Sequence, residues 1–427
     1  MQKPFVASRG QCFYNEVMGT QLYGKKLRFT LTVALAAGAL MTDALLTGCG
    51  ESKAIPATET RSVTEADLAE SSVPEPEEPA EQAVSDTEDK SDQRLEETTP
   101  SEPAAVTEPF SITLAFAGDI NFDDSWCTMG YLHSQGDDLT NVIDPDYLAE
   151  MQSADLLWIN NEFCYSDRGT PMAGKMYTFR SDPANVKYLT EMGVDLAGLA
   201  NNHVFDYGEE AFLDTLQTLQ NAGIPYVGAG INLEEASAPV FLDADGVTIA
   251  YVAASRAEKN IMTPEAGENS PGILRCYDMT RFLNSIKKAA EEADYVIALP
   301  HWGTEYSTTL EQAQIDGARA CIDAGADAVI GTHTHCLQGV TSYHERPIAY
   351  SLGNFWFNER TLDTMLFEIR LSGIKTIEPD DTSSVIITDV DSVILPGRQS
   401  GYVTTMAKGA EKQEILDAID AISPAAE

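Results

Sequence analysis

Side chains that bind metals in proteins follow five short apolar segments of this chain. Each segment is typical of a strand, and the residues directly after it include Asp, Glu, Asn or His. In an open α/β sheet, ligands gather at the carboxyl edge of the strands, so these side chains are expected to lie together. Mixed oxygen and imidazole ligands suit manganese, iron or zinc. The five groups begin at Gly118-Asp119, Asn160-Asn161-Glu162, Asn201-Asn202-His203, His301-Trp302-Gly303 and Gly331-Thr332-His333.

The histidines sharpen this prediction, because four of the six in the chain follow these apolar segments. The four are His203, His301, His333 and His335. In His333-Thr334-His335, strand-like alternation would place both imidazole rings on the same side. Two adjacent metal ions could then each take one ring. We interpret the other two, His133 and His344, as ordinary surface or core residues.

The elements that must position these residues alternate between strand and helix patterns. Predicted strands span Ser111–Ala117, Ala154–Asn160, Val194–Ala200, Ile224–Val227, Val247–Ala253, Tyr295–Pro300 and Ala326–Gly331. Predicted helices span Ala184–Met192, Glu209–Ala222, Thr280–Glu292, Glu311–Ala324 and Gly409–Ile422. After Gly339 the pattern changes to hairpins, at Val340–Tyr343, Ile348–Leu352, Thr364–Leu371 and Ser384–Leu395. This order is typical of an α/β fold in which two sheets stack as a sandwich with helices outside.

Six motifs, taken in order, resemble the CapA family. That family is associated with poly-γ-glutamate capsule synthesis and belongs to the metallophosphatase-like superfamily, also called calcineurin-like phosphoesterases. The resemblance runs from about Ile112 to Val393 and implies a metallophosphoesterase-like two-sheet sandwich flanked by helices. The motifs are Gly118-Asp119, Asn160-x-Glu162, Leu199-Ala200-Asn201-Asn202-His203, His301-Trp302-Gly303-x-Glu305-Tyr306, Gly331-x-His333-x-His335-x-x-Gln338 and Ile348-Ala349-Tyr350-Ser351-Leu352-Gly353-Asn354-Phe355.

The resemblance also implies a cofactor of two divalent metal ions, whether manganese, iron or zinc. Asp119 and His335 would hold the first ion, and Glu162 stands where a bridging carboxylate is expected. The second ion would be held by Asn202, His301 and His333. The two ions would clamp the phosphoryl oxygens of a phosphoester during its hydrolysis.

Further roles follow from the same resemblance. His203 would act as the general acid for the leaving oxygen, and Asp206 and Glu305 accompany it as catalytic candidates. The residues expected to touch the ligands or the substrate are Asn160, Tyr306 and Asn354.

The motifs depart from the usual metallophosphoesterase pattern in three places. Asn121 stands where a histidine is usual, and Glu162 stands where an aspartate is usual. One residue separates Gly331 from His333, where the usual motif has none. The CapA-like family shares the first two departures. Together they leave the first ion with fewer strong ligands, so the resemblance alone does not establish phosphatase activity.

The N-terminal residues 1–49 are predicted to be a signal peptide with a lipobox. A basic cluster ending at Arg28 precedes the apolar run Phe29–Leu40, and Leu46-Thr47-Gly48-Cys49 resembles the bacterial lipobox. Acylation of Cys49 would anchor the protein at the extracellular face of the cell membrane. The alternative is a transmembrane anchor with an incidental cysteine. Translation starts at Met1 or at Met18.

Residues 50–109 are predicted to be a disordered acidic linker, followed by a CapA-like metallophosphatase domain at 110–427. From Glu51 to Pro109 there are 17 acidic residues and four basic ones, among many Pro, Ser, Thr and Ala. Such a composition cannot bury enough apolar surface to fold. The net charge of the whole chain, −40, argues against nucleic acid as a partner. The seven cysteines form no CxxC pair, which argues against a disulfide framework or a zinc ribbon.

Three functions are consistent with these patterns. The first is a cell-surface lipoprotein that acts in poly-γ-glutamate capsule synthesis, export or retention, with the anionic polymer or a membrane capsule-synthesis complex as its partner. The second is an extracellular metal-dependent phosphoesterase acting on an envelope metabolite. The third is a non-catalytic scaffold with the same fold. The protein is therefore interpreted as a metal-dependent hydrolase, with the scaffold as the alternative.

Overall fold

The structure, a computed structural model, describes residues 105–258, 262–380 and 382–427. The strands in these ranges are β1 (Val106–Ile120), β2 (Leu156–Asn161), β3 (Cys164–Tyr165), β4 (Arg180–Ser181), β5 (Leu196–Gly198), β6 (Tyr226–Val227), β7 (Ala229–Gly230), β8 (Val240–Ala244), β9 (Val247–Ser255), β10 (Gly272–Ile273), β11 (Tyr295–His301), β12 (Ala328–Ile330), β13 (Val340–Tyr343), β14 (Arg346–Ala349), β15 (Asn354–Trp356), β16 (Leu362–Ile377), β17 (Ser383–Ser400) and β18 (Val403–Met406). The helices are α1 (Cys127–Ser134), α2 (Pro145–Ser153), α3 (Lys187–Met192), α4 (Glu209–Ala222), α5 (Leu233–Ser237), α6 (Thr280–Ala289), α7 (Gln312–Asp323) and α8 (Gly409–Ile422).

Two sheets carry most of these strands. The first has the order β18-β17-β16-β1-β2-β5-β6, and β15 also pairs with β1. Strands β1, β2, β5 and β6 run parallel, whereas β16, β17 and β18 add an antiparallel edge. The second sheet has the order β13-β14-β12-β11-β9-β8, with β9, β11, β12 and β14 parallel. The carboxyl ends of the parallel strands therefore form one edge of each sheet.

Alternating side chains divide the apolar residues among three cores. In β1, Leu114 and Phe116 pack with Ile249 and Tyr251 of β9, which places this core between the two sheets. Ala115, which lies between these two residues in β1, faces the opposite way, toward α1 to α4. Helices α6 and α7 cover the outer face of the second sheet in the same manner. The predicted α/β sandwich of two sheets flanked by helices is thus confirmed.

Local sequence signals explain the bounds of the helices. Helix α4 spans the predicted residues, with Glu209 and Glu210 in its first turn, where carboxylates suit the helix dipole. It ends at Gly223, whose φ of 73° is the left-handed conformation typical of a helix C-terminus. The predicted helix at 184–192 is instead a 3₁₀ turn, Pro183–Val186, followed by α3. The elements that were not predicted are helices α1, α2 and α5 and strands β3, β4, β7, β8, β10, β15 and β18.

Strand β1 begins four residues before the predicted start of the domain at 110. Val106 to Pro109 pair with Ile377 to Ile374 of β16, so these four residues belong to the first sheet and not to a linker. The signal peptide, Cys49 and the linker up to residue 104 lie outside the described residues. Among the helices that are described, none is both long and apolar enough to cross a membrane.

Candidate metal centre

The side chains singled out in the sequence meet where the carboxyl edges of the two sheets adjoin. Asp119 lies at the end of β1, and Glu162 directly follows β2. Asn202 and His203 follow β5 after three further residues. From the second sheet, His301 is the last residue of β11, and the loop after β12 supplies His333 and His335. All seven side chains are buried.

Two glycines allow the end of β1 to approach the loop before β15 closely enough to form this cluster. A Cβ atom on Gly118 would lie 2.0 Å from the carbonyl oxygen of Gly353. The backbone N–H of the next residue, Asp119, donates to that same oxygen at 3.0 Å. Gly353 itself has a φ of 68°, in the left-handed region that favours glycine. The Gly118-Asp119 motif therefore positions the carboxylate by a close contact between two backbones.

Two groups of three possible metal ligands share one carboxylate. Asp119, Glu162 and His335 form the first group, and Glu162, His301 and His333 form the second. Within each group one ligand atom per residue lies within 4.8 Å of the others. Oε1 of Glu162 is 3.7 Å from Nε2 of His301 and 3.8 Å from Nε2 of His335. This places Glu162 between the two groups, which is the position of a bridging ligand.

The donor atoms of this cluster fit a divalent metal. Oε1 of Glu162 and Nδ1 of His333 are buried, yet neither has a hydrogen-bond partner among the described residues. Leaving such atoms unpaired inside a protein is unfavourable unless something else satisfies them. Carboxylate oxygen and imidazole nitrogen are also the ligand types that manganese, iron and zinc accept. The donor atoms of this cluster therefore suit divalent metal ions.

Asparagines hold the ligands in place. Nδ2 of Asn160 donates to Oδ1 of Asp119 at 2.7 Å and to Oε2 of Glu162 at 3.0 Å. Oδ1 of Asn202 lies 2.8 Å from Nε2 of His301, which brings the Asn202 amide oxygen to the second ligand group. Oδ1 of Asn354 lies 2.8 Å from Nδ1 of His335. All three predicted asparagines thus contact a possible metal ligand.

A further asparagine, which the sequence analysis did not assign a role, connects two of the loops. Nδ2 of Asn201 donates to Oδ1 of Asn160 at 3.1 Å. Oδ1 of Asn201 accepts hydrogen bonds from the backbone N–H groups of His203 and Val204, both at 3.0 Å. Asn201 therefore ties the turn that carries His203 to the residue that holds two carboxylates.

The electrostatics of the first ligand group are dominated by an ion pair. Burial alone would raise the pKa of Asp119, but its hydrogen bond with His335 and the charge of His335 outweigh burial and lower it. Burial alone would lower the pKa of His335, but its hydrogen bond with Asp119 and the charge of Asp119 act against burial, and the pKa of His335 is raised. Nδ1 of His335 is 3.0 Å from Oδ2 of Asp119. Each of these two residues therefore favours the charged form of the other.

In the second group the imidazoles are neutral. Burial, and then the charge of His333, holds the pKa of His301 well below its usual range. Burial, and then the charge of His335, lowers the pKa of His333 to about 3. Burial and the nearby carboxylate of Asp119 raise the pKa of Glu162 well above its usual range. Neutral imidazole is the form that binds metals, so His301 and His333 are ready to act as ligands.

His203 forms a dyad with Asp206 beside the ligand groups. Nδ1 of His203 is 2.6 Å from Oδ2 of Asp206, which also accepts the backbone N–H of Phe179 at 2.8 Å. Burial lowers the pKa of His203, although the Asp206 charge acts against it. The ring is therefore neutral at pH 7 in the metal-free protein, with its proton on Nδ1 facing the carboxylate. This leaves Nε2 as the nitrogen that can exchange a proton with a substrate.

The structure also places a lysine at this dyad that the sequence analysis missed. Nζ of Lys175 lies 2.7 Å from Oδ1 of Asp206, and only 4% of the Lys175 side chain is exposed. No motif marks this lysine, because it lies in an irregular segment between β3 and β4. A lysine among apolar residues in a predicted loop is too common a pattern to identify a buried cation.

Glu305 and Tyr306 lie at the rim and not among the ligands. Both are exposed, and the ring of Tyr306 is 5.6 Å from that of His335. The guanidinium of Arg360 lies 4.2 Å above the Tyr306 ring. The negative charge of Glu305 contributes to raising the pKa of both Glu162 and His335. The side chains of Glu305 and Tyr306 can therefore meet a substrate at the entrance of the centre.

The geometry of the last histidine pair differs from the expected one. Strand β12 ends at Ile330, so His333 and His335 lie in a loop and not in a strand. Their φ angles are 97° and 56°, in the left-handed region, and their rings are 6.2 Å apart. The prediction that strand alternation orients the two rings is wrong. The loop conformation directs one ring to each ligand group.

Asn121 occupies the position where related enzymes usually have a histidine. Its Oδ1 accepts the backbone N–H of Asp123 at 2.9 Å. Its Nδ2 is buried, and it has no hydrogen-bond partner among the described residues. Asn121 therefore stabilises the turn after β1 and is not part of either ligand group.

The stacked sheets thus bring two groups of buried possible metal ligands to one site. The family described as bacterial capsule synthesis protein PGA_cap matches residues 113–359, which include every residue of the two ligand groups. The chain belongs to this family. The family resemblance predicted from the motifs is thereby confirmed.

Proteins in two bacilli are similar to this chain. The PGA biosynthesis protein CapA of Bacillus subtilis is 35% identical over 203 residues, covering 47% of this chain and 53% of the relative. The capsule biosynthesis protein CapA of Bacillus anthracis is 36% identical over 200 residues, covering 44% and 46%. This chain thus spans about half the length of the curated relatives it matches. A solved structure described as a novel phosphatase from Mycoplasma pneumoniae aligns with 69% of this chain and 96% of its own, at 13% identity and a TM-score of 0.38.

Proposed function

We propose that this protein acts in the synthesis, export or retention of a poly-γ-glutamate capsule through a two-metal hydrolytic centre. Two observations support the proposal. The chain belongs to the PGA_cap family, and its similar relatives in Bacillus subtilis and Bacillus anthracis are described as capsule biosynthesis proteins. The observation that carries the hydrolytic part is the position of Glu162, shared by two groups of buried ligands.

The residues of the centre divide into three tasks in this proposal. Asp119, Glu162 and His335 would hold one ion, and His301 and His333 would hold the other with Glu162 and Asn202. Two such ions supply Lewis-acid chemistry, which stabilises negative charge on the oxygens of a phosphoryl or carbonyl group. They also give an acidic protein a local positive field in which an anionic substrate can bind.

His203 would handle the proton. Nδ1 of His203 is occupied by its contact of 2.6 Å with Asp206, so His203 would exchange a proton with the substrate at Nε2. Because the ring is neutral at rest, Nε2 must take up a proton before it can donate one to a leaving oxygen. An anionic substrate favours this uptake, since negative charge nearby raises the pKa of an imidazole.

Elemental analysis of the purified protein tests the proposal. Wild-type protein loaded with manganese, iron or zinc is expected to retain two equivalents, and the D119A/H333A double variant fewer. The same preparations are then incubated with poly-γ-glutamate, and the polymer length is followed by gel electrophoresis. Two bound ions with metal-dependent shortening of the polymer support the proposal. The absence of bound metal in the wild type would overturn the hydrolytic centre.

A second candidate function is a phosphoesterase that acts on a metabolite of the cell envelope. The His203–Asp206 dyad favours it, because a proton donor beside a two-metal site suits departure of an alkoxide from a phosphoester. Hydrolysis of p-nitrophenyl phosphate or its diester by the metal-loaded protein, without effect on poly-γ-glutamate, would favour this function over the first.

We also propose that the protein is anchored by acylated Cys49 at the extracellular face of the cell membrane, where a capsule-synthesis complex could contact it. The lipobox-like Leu46-Thr47-Gly48-Cys49 supports this location. Labelling of cells with a fatty-acid probe should mark the wild type and not a C49S variant, and C49S should be recovered away from the membrane fraction. Equal labelling of both proteins would overturn the anchor.

A further inference from the structure

Lys175 is a buried cation with three acceptors around it. Its Nζ lies 2.7 Å from Oδ1 of Asp206 and 3.1 Å from Oε2 of Glu258. It also donates a hydrogen bond to the backbone carbonyl of Asn202. An ammonium group has three N–H donors. Glu258 and the Asn202 carbonyl each accept a hydrogen bond from it, and the contact with Asp206 is an ion pair. Lys175 is therefore held in place by three groups of the protein.

The carbonyl that Lys175 holds belongs to one of the candidate metal ligands. The side-chain oxygen of Asn202 lies 2.8 Å from Nε2 of His301, while its backbone oxygen points to Lys175. The following residue, His203, carries the proton-exchanging ring. The same lysine also pairs with Asp206, which orients that ring. One ammonium group thus contacts both parts of the turn from which Asn202 and His203 project.

A second residue holds the same carbonyl from another loop. Oγ1 of Thr263 donates to the backbone oxygen of Asn202 at 2.7 Å, and the Thr263 side chain is buried. The backbone oxygen of Thr263 in turn accepts a hydrogen bond of 2.8 Å from the buried guanidinium of Arg275. The Asn202 carbonyl therefore receives two side-chain donors from different loops, and Arg275 holds the loop that carries Thr263.

Placing an ammonium group in a buried position is unfavourable unless its charge is compensated and its donors are satisfied. Here the charge is offset by Asp206 and Glu258, and the Asn202 carbonyl accepts a hydrogen bond from the ammonium. Removing only the ammonium would leave a buried carboxylate and a carbonyl with fewer partners. Such a loss is felt locally, because the groups left behind belong to one turn.

We propose that Lys175 is a positioning residue of the metal centre, which holds the Asn202 carbonyl and the Asp206 carboxylate so that Asn202 and His203 face the ions. This inference rests on the proposed two-metal function. Thr263 assists it at the same carbonyl. The lysine acts through the turn and makes no contact with the substrate.

Three variants of the full chain test this role. K175M removes the charge and keeps an unbranched side chain of similar length. T263V removes the second donor to the Asn202 carbonyl with little change in shape. K408M is the control, because the Lys408 side chain is 66% exposed and its ion-pair partner, Asp146, is not part of the metal centre.

Two measurements are made on each variant. Hydrogen–deuterium exchange of the metal-free protein reports the amides of residues 199–208, and elemental analysis reports the ions retained after manganese loading. We expect exchange of this segment to be about tenfold faster in K175M, with a smaller change in the same direction in T263V. We also expect K175M to lose about one of the two ions, because the Asn202 amide oxygen lies at His301 of the second ligand group. K408M should match the wild type in both measurements.

The two arms separate this inference from the proposed function. If the wild type retains none of manganese, iron or zinc, the two-metal function fails, and the exchange measurement alone decides whether Lys175 holds the turn. If exchange in K175M is unchanged, the inference is overturned. It is also overturned if protection is lost evenly over the whole chain, because Lys175 would then be a general structural residue.

Discussion

Glu162 and His335 approach each other to 3.8 Å, from Oε1 to Nε2, although they follow strands of different sheets. Glu162 comes directly after β2 in the first sheet, and His335 comes from the loop after β12 in the second. This contact exists only when the two carboxyl edges meet. The centre is therefore a product of the stacking of the sheets and not of either sheet alone.

The shared position of Glu162 predicts that E162Q weakens both ion sites. An amide in place of the carboxylate keeps the shape but loses the negative charge that two ions would share. We expect the affinity for manganese to fall by at least about 100-fold at both sites, measured by isothermal titration calorimetry. E345Q is the matched control, because Glu345 is exposed. Loss of only one ion in E162Q would show that Glu162 does not bridge.

The strands that carry the ligands could be predicted because their patterns are local. Runs such as Leu114 to Ala117 are long enough in apolar residues to identify a strand, and the polar residue after the run marks its carboxyl end. The bounds of α4 follow equally from Glu209, Glu210 and Gly223. Helix α1 was missed because residues 127–134 include Thr, Gly, His and Ser, which do not produce an apolar helical period.

The parts of the site that could not be predicted depend on contacts between distant residues. Lys175 reaches Asp206 and Glu258 across 31 and 83 positions of the chain, and nothing near Lys175 in the sequence indicates this. The left-handed φ angles of His333 and His335 were missed for a related reason. Such angles are uncommon in residues other than glycine and depend here on tertiary packing, so the strand-like alternation of the two histidines was predicted wrongly.

The His203–Asp206 dyad predicts that H203A separates metal binding from proton transfer. The His203 ring is not part of either ligand group, so H203A should retain the ions of the wild type. Hydrolysis of whichever substrate the wild type cleaves should fall by about 10²- to 10⁴-fold, the usual contribution of a general acid or base. Ion content and turnover are measured on the same preparation. H133A serves as the control, since the side chain of His133 is 45% exposed and lies in α1. Unchanged turnover in H203A would exclude the proton role.

The depressed pKa of His333 predicts how the stability of the metal-free protein depends on pH. The native pKa is about 3, mainly because of burial, against an ordinary value of 6.5. Between these values the unfolded chain binds a proton that the native protein does not, so stability falls as the pH falls from 6.5 toward 3. In H333N this titration is absent, and Asn tolerates the left-handed φ at this position.

The check is the melting temperature of both proteins in the presence of a chelator at pH 7 and at pH 4.5. The decrease between these values should be smaller in H333N than in the wild type by several degrees. The raised pKa of Glu162 changes the pH dependence of stability equally in the wild type and in H333N, so it does not affect the difference between them. H344N, at an exposed histidine, should behave like the wild type. Equal pH dependence in H333N and the wild type would contradict the neutral, buried state of His333.

The close contact at Gly118 predicts opposite effects for one kind of substitution at two glycines. In G118A the new methyl group would lie 2.0 Å from the Gly353 carbonyl oxygen. The backbone of β1 or of the loop that contains Gly353 must move to relieve this clash. We expect the free energy of unfolding to fall by about 3 kcal/mol, toward the upper end for overpacked sites. Gly130 lies inside α1, and a Cβ there would meet nothing within 4 Å. G130A should therefore raise the free energy of unfolding by about 0.5–1 kcal/mol, because alanine favours a helix over glycine. Urea denaturation of both variants measures the two effects.

Because the backbone of Asp119 is fixed by the same Gly353 oxygen, G118A should also weaken manganese binding, and G130A should not.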